Sequence, residues 1–288
     1  MRNLKEEIRE WRQGGFQRER EILVAYWACY LQTSEDIFKN IPDQIDVINL
    51  AFANPAKDGN INFDCLTAYF NEEQLKEIIQ DFRKKNIKVL LSLIDHEECQ
   101  WNQVNLKTFI PNLVKIIKEW GFDGIDIHSQ SIVSPLIKLQ SSIINLITTL
   151  KKDLDDDHFL SYSLDLNKEG SDLIILKNTS KSLDWINLMT DYQDYETVIK
   201  EYPAFGASIQ NRVNIGFRVR QDLDQDLVKD LVQWEPSPKW KYSKAQKMGI
   251  VLWALNKDIP KFNKQEEWSW VNTILPLLPK KKIENIPL

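Results

Sequence analysis

Eight short apolar runs recur along this chain, and longer amphipathic stretches separate them. The runs are ILVAYWACY (22–30), DVINLAFAN (46–54), IKVLLSLID (87–95), GIDIH (124–128), FLSYSLDL (159–166), DWINLMTD (184–191), RVNIGFRV (212–219) and GIVLWALN (249–256). They are continuous rather than alternating, the pattern of strands buried on both faces. Strands of that kind lie parallel, and parallel neighbours need a crossover long enough to hold a helix. The intervening stretches meet that need. NEEQLKEIIQDFRKKN (71–86) opens on Asn71 as an N-cap and closes on basic residues that suit a helix C-terminus. NLKTFIPNLVKIIKEWG (105–121) ends at Gly121, and SPLIKLQSSIINLITTLKKDL (134–154) places Pro135 in a first helical turn. Near the C-terminus, EEWSWVNTILPLLP covers the last strand. The sequence therefore predicts an α/β fold, a single (β/α)8 TIM barrel. The other arrangement, an open doubly wound sheet, would want a glycine-rich phosphate loop after the first strand. That strand runs into LQTSEDIF, which has no glycine.

Composition narrows the functional classes. A formal charge of −5 and a pI near 5.4 give no general attraction to phosphate backbones, so nucleic acid is not an expected partner. No apolar run reaches the roughly 18 residues of a membrane span. The opening MRNLKEEIREWRQGGFQRERE lacks the apolar centre of a secretory signal, and reads as a charged helix ended by Gly14 and Gly15. Residues 1–20 are thus expected to form a helical extension and 21–288 the barrel, in a protein that is cytoplasmic or exported by a signal-independent route. Cys29, Cys65 and Cys99 are odd in number and lack metal-type spacing, which predicts buried free thiols in a reducing compartment. His96 and His158 are not at ligand spacing with His128, so no metal is expected, and no motif calls for a cofactor.

The fourth run carries the most unusual polar set. In GFDGIDIHSQ (121–130), residues two apart share a face of the strand. Asp126, His128 and Gln130 therefore project together, with Asp123 at the strand's start. In a TIM barrel, chemistry collects at the C-terminal strand ends. Polar residues there either satisfy one another inside the barrel or line a pocket.

FDGIDIHSQ resembles the fourth-strand signature of the family 18 glycoside hydrolases, the chitinase-like barrels, in which D-G-x-D-x-D-x-E ends in the catalytic glutamate. The likeness continues in order along the chain. VAYWACY is similar to the first strand, with Tyr26 as its site tyrosine, and INLAFAN to the second, with Phe52 at the aromatic position. KVLLSL is similar to the third, WINLMTDY to the sixth, and GIVLWALNKD to the eighth, where Trp253 would be the floor of a sugar site. The resemblance implies substrate-assisted hydrolysis. The sugar's acetamido group attacks the anomeric carbon while the acid protonates the departing oxygen.

The departures from the signature carry the functional expectation. Asp123 and Asp126 keep its first two acids, His128 replaces the third, and Gln130 replaces the glutamate. An amide has no proton to give at neutral pH, although it can still hydrogen-bond a sugar oxygen. General acid–base catalysis commonly contributes about 10²–10⁴-fold, so its loss leaves a very slow enzyme at best. The third strand, typically Ser-x-Gly-Gly, here reads Ser92-Leu93-Ile94-Asp95, with two larger residues expected to crowd the site. The sixth, usually Met-x-Tyr-Asp, reads Met189-Thr190-Asp191-Tyr192, with aromatic and acid exchanged.

The resemblance thus implies a pseudo-glycosidase with no catalytic residues and a former active site left for binding. Its expected ligand-binding residues are Tyr26, Phe52, Asp123, Asp126, His128, Gln130, Met189, Asp191, Tyr192 and Trp253. Trp27 is a further aromatic candidate at the mouth, while Trp268 and Trp270 are expected to pack. The ligand would be an N-acetylglucosamine-containing glycan such as a chito-oligosaccharide, held in a lectin-like mode, or else a protein partner. Two alternatives stand beside this: a subunit of a larger toxin-like or surface complex, and a weak or altered hydrolase. About 30 residues separate NIGFRV from GIVLW. That is too few for an insertion domain and predicts a shallow cleft.

Overall fold

The computed structural model describes residues 20–31, 38, 40–128, 136–165, 171–190, 195–209, 212–219, 225–233, 247–264 and 266–278. All eight expected strands form. They are β1 (Ile22–Ala28), β2 (Val47–Pro55), β3 (Lys88–Ile94), β4 (Gly124–His128), β5 (Phe159–Asp165), β6 (Trp185–Met189), β7 (Val213–Arg218) and β8 (Gly249–Trp253). Each pairs in parallel with its neighbours in chain order, and β8 pairs with β1 to close the barrel. A two-residue strand, Ile61–Asn62, runs antiparallel to the end of β2. The expected charged extension, residues 1–19, lies outside the described residues.

Among the described residues, seven helices of more than one turn follow the strands: α1 (Glu72–Lys84), α2 (Leu106–Trp120), α3 (Leu136–Asp153), α4 (Ser171–Thr179), α5 (Tyr195–Ser208), α6 (Gln225–Gln233) and α7 (Ser269–Ile274). Their ends follow local chemistry. The Asn71 side chain accepts from the Gln74 N–H at 3.0 Å, and the Gln74 side chain accepts from the Asn71 N–H at 2.9 Å, a reciprocal capping box. Gly121 closes α2 in a left-handed conformation, φ +80°, which suits a residue without a side chain. Among the described residues, no helix is long and apolar enough to cross a membrane. The stretch between β7 and β8 contains α6 and is too short to hold a sizeable domain.

Strand alternation sorts the side chains into two layers. On β1, Ile22, Val24, Tyr26 and Ala28 face the barrel interior, while Leu23, Ala25 and Trp27 face the helices. Trp27, expected at the mouth, therefore packs outward, its ring 5.1 Å from Phe38 and 5.8 Å from Phe70. Trp268 and Trp270 are buried in the outer layer, as expected of packing residues.

The N-terminal face is pinned by a repeated device. Asp46, Asp123 and Asp184 each immediately precede an even-numbered strand. Their carboxylates accept the backbone N–H of Leu23, Val89 and Leu160 at 2.7, 2.9 and 2.9 Å. Each aspartate's own N–H donates to the carbonyl of the same partner residue. Three seams, β1–β2, β3–β4 and β5–β6, are closed in this way. Asp123, expected in the site, thus belongs to the opposite end of the barrel, where Arg83 Nε also approaches it at 3.5 Å. The adjoining Gly124 has a separate reason: an added Cβ would meet the Phe159 carbonyl oxygen at 2.3 Å, so β4 and β5 approach too closely for a side chain.

The cysteines correct the expectation of three free thiols. Cys29, just past β1, is disulfide-bonded to Cys65 in the short helix Asp64–Thr67, with Cα atoms 5.6 Å apart. The antiparallel turn after β2 carries that helix back beside the end of β1, a juxtaposition that cysteine counting does not register. Disulfides persist in oxidising surroundings, not in the reducing compartment that free thiols implied. Cys99 alone remains a free, buried thiol, and burial raises its pKa. Replacing Cys29 and Cys65 by alanine should lower stability by about 2–4 kcal/mol in urea unfolding, whereas Cys99→Ser should leave the midpoint much closer to that of the parent.

Candidate functional site

Asp126 organises the upper barrel. Its side chain is fully buried, where an unsatisfied charge would be prohibitively costly. Four hydroxyls donate to it. Tyr26 and Ser92 reach Oδ2, each at 2.7 Å, and Ser161 and Ser163 reach Oδ1 at 2.7 and 2.8 Å. Asn187 Nδ2 donates to the Ser163 hydroxyl at 3.0 Å, and Asn214 Nδ2 in turn donates to Asn187 Oδ1 at 3.0 Å. Burial, and then the charge of Asp126, hold the Tyr26 pKa well above the ordinary phenol value. Tyr26 is therefore a fixed hydrogen-bond donor, committed to the protein.

Above this layer a cavity of about 530 Å³ opens at the C-terminal strand ends. Its floor is aromatic. Trp253 stacks on Phe52 with centroids 5.5 Å apart and lies 4.9 Å from the Tyr26 ring. Phe52 also contacts the His128 ring at 5.7 Å. At the rim Tyr30 is 56% exposed, its ring 6.4 Å from that of Trp253. The Cys29–Cys65 disulfide, Ile94 and Asn54 continue that wall; Asp165, Met189 and Arg218 form the opposite one.

Five expected residues thus come together around the cavity: Tyr26, Phe52, His128, Met189 and Trp253. Asp126 lies beneath them as support, and Asp123 lies at the far end of the barrel. Gln130, Asp191 and Tyr192 are outside the described residues. Of the two residues expected to crowd the site, only Ile94 lines it. Asp95 is turned away, fully buried, and accepts the Trp101 N–H at 3.2 Å, while Trp101 Nε1 donates to the His128 carbonyl at 3.1 Å.

Against this geometry, the comparison with known families is specific. Residues 22–227 match the model for glycosyl hydrolases family 18. The chain belongs to glycosyl hydrolase family 18. A curated relative, Exochitinase 1 of Streptomyces olivaceoviridis, is 32% identical over 146 residues, covering 42% of this chain and 24% of that protein. The chain thus spans about a quarter of that relative's length. Among solved structures, a chitinase from Bacteroides thetaiotaomicron superposes with a TM-score of 0.73 at 15% identity, covering 93% of this chain and 99% of that one. A family 18 chitinase from Pseudoalteromonas aurantia gives 0.69 at 16% identity, covering 89% and 100%. At those identities the likeness is one of fold.

The family 18 motifs did not point to Tyr30, Asn54, Asp165 or Arg218. For Asp165 a signal was present in FLSYSLDL: Ser161, Ser163 and Asp165 interrupt an apolar strand at alternate positions, which marks one inward polar face. Among the described residues, no group of three or more His, Cys, Asp or Glu side chains is arranged to hold a metal ion.

The hub role of Asp126 has a direct measure. Asp126→Ala strands the hydroxyl donors of four other residues and should cost about 3–5 kcal/mol in urea unfolding. Tyr26→Phe removes one donor to a charged acceptor and should cost about 1.5–3 kcal/mol. Equal losses would show that the carboxylate is not the common anchor.

Proposed function

We propose that this family 18 barrel is a non-catalytic binder of N-acetylglucosamine-containing oligosaccharides, which it holds over Trp253 at the barrel mouth. One observation carries the reading: the sequence has Gln130 where the family signature has its acid. Substrate-assisted hydrolysis needs a proton delivered to the departing oxygen, and a neutral amide has none to deliver. His128 stands two residues earlier on the strand, beside Phe52, at the position of the signature's middle acid rather than its proton donor.

What remains suits binding. The cavity lies within the size range of small-ligand pockets. Its stacked Trp253 and Phe52 offer an apolar platform for a sugar ring, while Asn54, His128, Asp165 and Arg218 supply polar groups around it. The substrate class follows the names of the related chitinases, whose fold this chain shares.

Titration with tri-N-acetylchitotriose tests the proposal. The parent protein should bind, and Trp253→Ala should weaken binding at least tenfold. Absence of binding by the parent would sink the glycan reading and leave a protein partner as the mouth's occupant. On a chromogenic chito-oligosaccharide the parent should show no turnover. Activity that disappears in His128→Ala would make the protein an altered hydrolase instead.

A further inference from the structure

We infer that Asp165, on β5, is the specificity-determining residue of the pocket, accepting the N–H of the ligand's acetamido group; this rests on the glycan-binding reading above. The strand-four signature has lost two carboxylates, at positions 128 and 130, yet the pocket still holds one. Among the described lining residues, Asp165 is the one acidic side chain, and it comes from the neighbouring strand.

Its placement follows from strand period and register. Ser161 and Ser163 point inward, since both donate to Asp126. Asp165 continues that face by one more step and reaches the cavity. The register sets Asp165 opposite Met189 on β6, and Met189 opposite Gly216 on β7. The Met189 thioether occupies the space beside Gly216, where an added Cβ would lie 2.6 Å from its sulfur. One wall therefore presents a carboxylate acceptor next to a soft apolar group.

An acetamido substituent offers the matching pair, an N–H donor beside a methyl group. A sugar edge carrying only hydroxyls would satisfy the carboxylate and set a polar group against Met189. A free amine would satisfy the carboxylate too. Arg218, two residues beyond Gly216 and in register with Trp253, puts positive charge at the same rim and disfavours an ammonium. Hydrogen bonds to an ionised acceptor are roughly twice as strong as neutral ones, so one such contact can set the preference.

Three disaccharides separate the possibilities by titration calorimetry: di-N-acetylchitobiose, its free-amine counterpart, and cellobiose. The parent should prefer di-N-acetylchitobiose at least tenfold over the other two. Asp165→Ala should lose that preference by about tenfold, with a smaller loss of affinity for cellobiose than for di-N-acetylchitobiose. Asp165→Asn, which keeps a neutral acceptor, should fall between them. Unchanged near-ultraviolet circular dichroism would show that the variants are folded. Equal losses on all three sugars, or no loss, would overturn the role of Asp165. Tighter binding of the free amine would overturn the acetamido assignment. A parent protein that binds none of the three would overturn the underlying glycan reading, and this inference with it.

Discussion

A carboxylate sealed inside a barrel is stable only if the barrel is built around it. Asp126 draws its hydroxyl donors from β1, β3 and β5, while it is itself carried on β4. Moving such a charge out of water costs several kcal/mol, and hydrogen bonds to ionised groups return about 1.5–3 kcal/mol each. Four of them are of the right size to offset the cost, but only while all four strands keep their register. Tyr26 is oriented by this network, and Trp253 rests on the Tyr26 ring. The aromatic floor of the pocket thus inherits its position from a charge buried beneath it.

This arrangement gives a structural role to the part of the signature that the chain retains. Asp123 clamps β3 to β4, Gly124 permits the close approach of β5, and Asp126 anchors the interior. Each thus contributes to holding neighbouring strands in register. His128 is the last residue of β4 and lines the pocket instead. A hydrolase signature divides here into a structural half that is kept and a chemical half that has changed.

The strands were legible because burial on both faces leaves an unbroken apolar run, and α1 and α2 because Asn71 and Gly121 act through local backbone chemistry. The site was legible only where a family motif or strand alternation marked it. Trp27 was misplaced although the same alternation, applied from Tyr26, turns it outward. Asp95 looked like a group crowding the mouth because its hydrogen bond to the Trp101 N–H depends on a turn that no local pattern announces. The Cys29–Cys65 pairing depends on how the segment after β2 folds back, which is tertiary information. Asp165 lay in plain view as the third of three alternating polar residues, but on a strand where no motif directed attention.

The three aspartate clamps make the closed N-terminal end of the barrel a set of separately fastened seams rather than one continuous closure. Each seam joins an odd strand to the next even one, and each is far along the strands from the mouth. The two ends of the molecule therefore answer to different demands: one is fixed by backbone geometry, the other by whatever the protein must recognise. Such a division lets a lineage exchange one occupation for another at the open end, with the same frame beneath it.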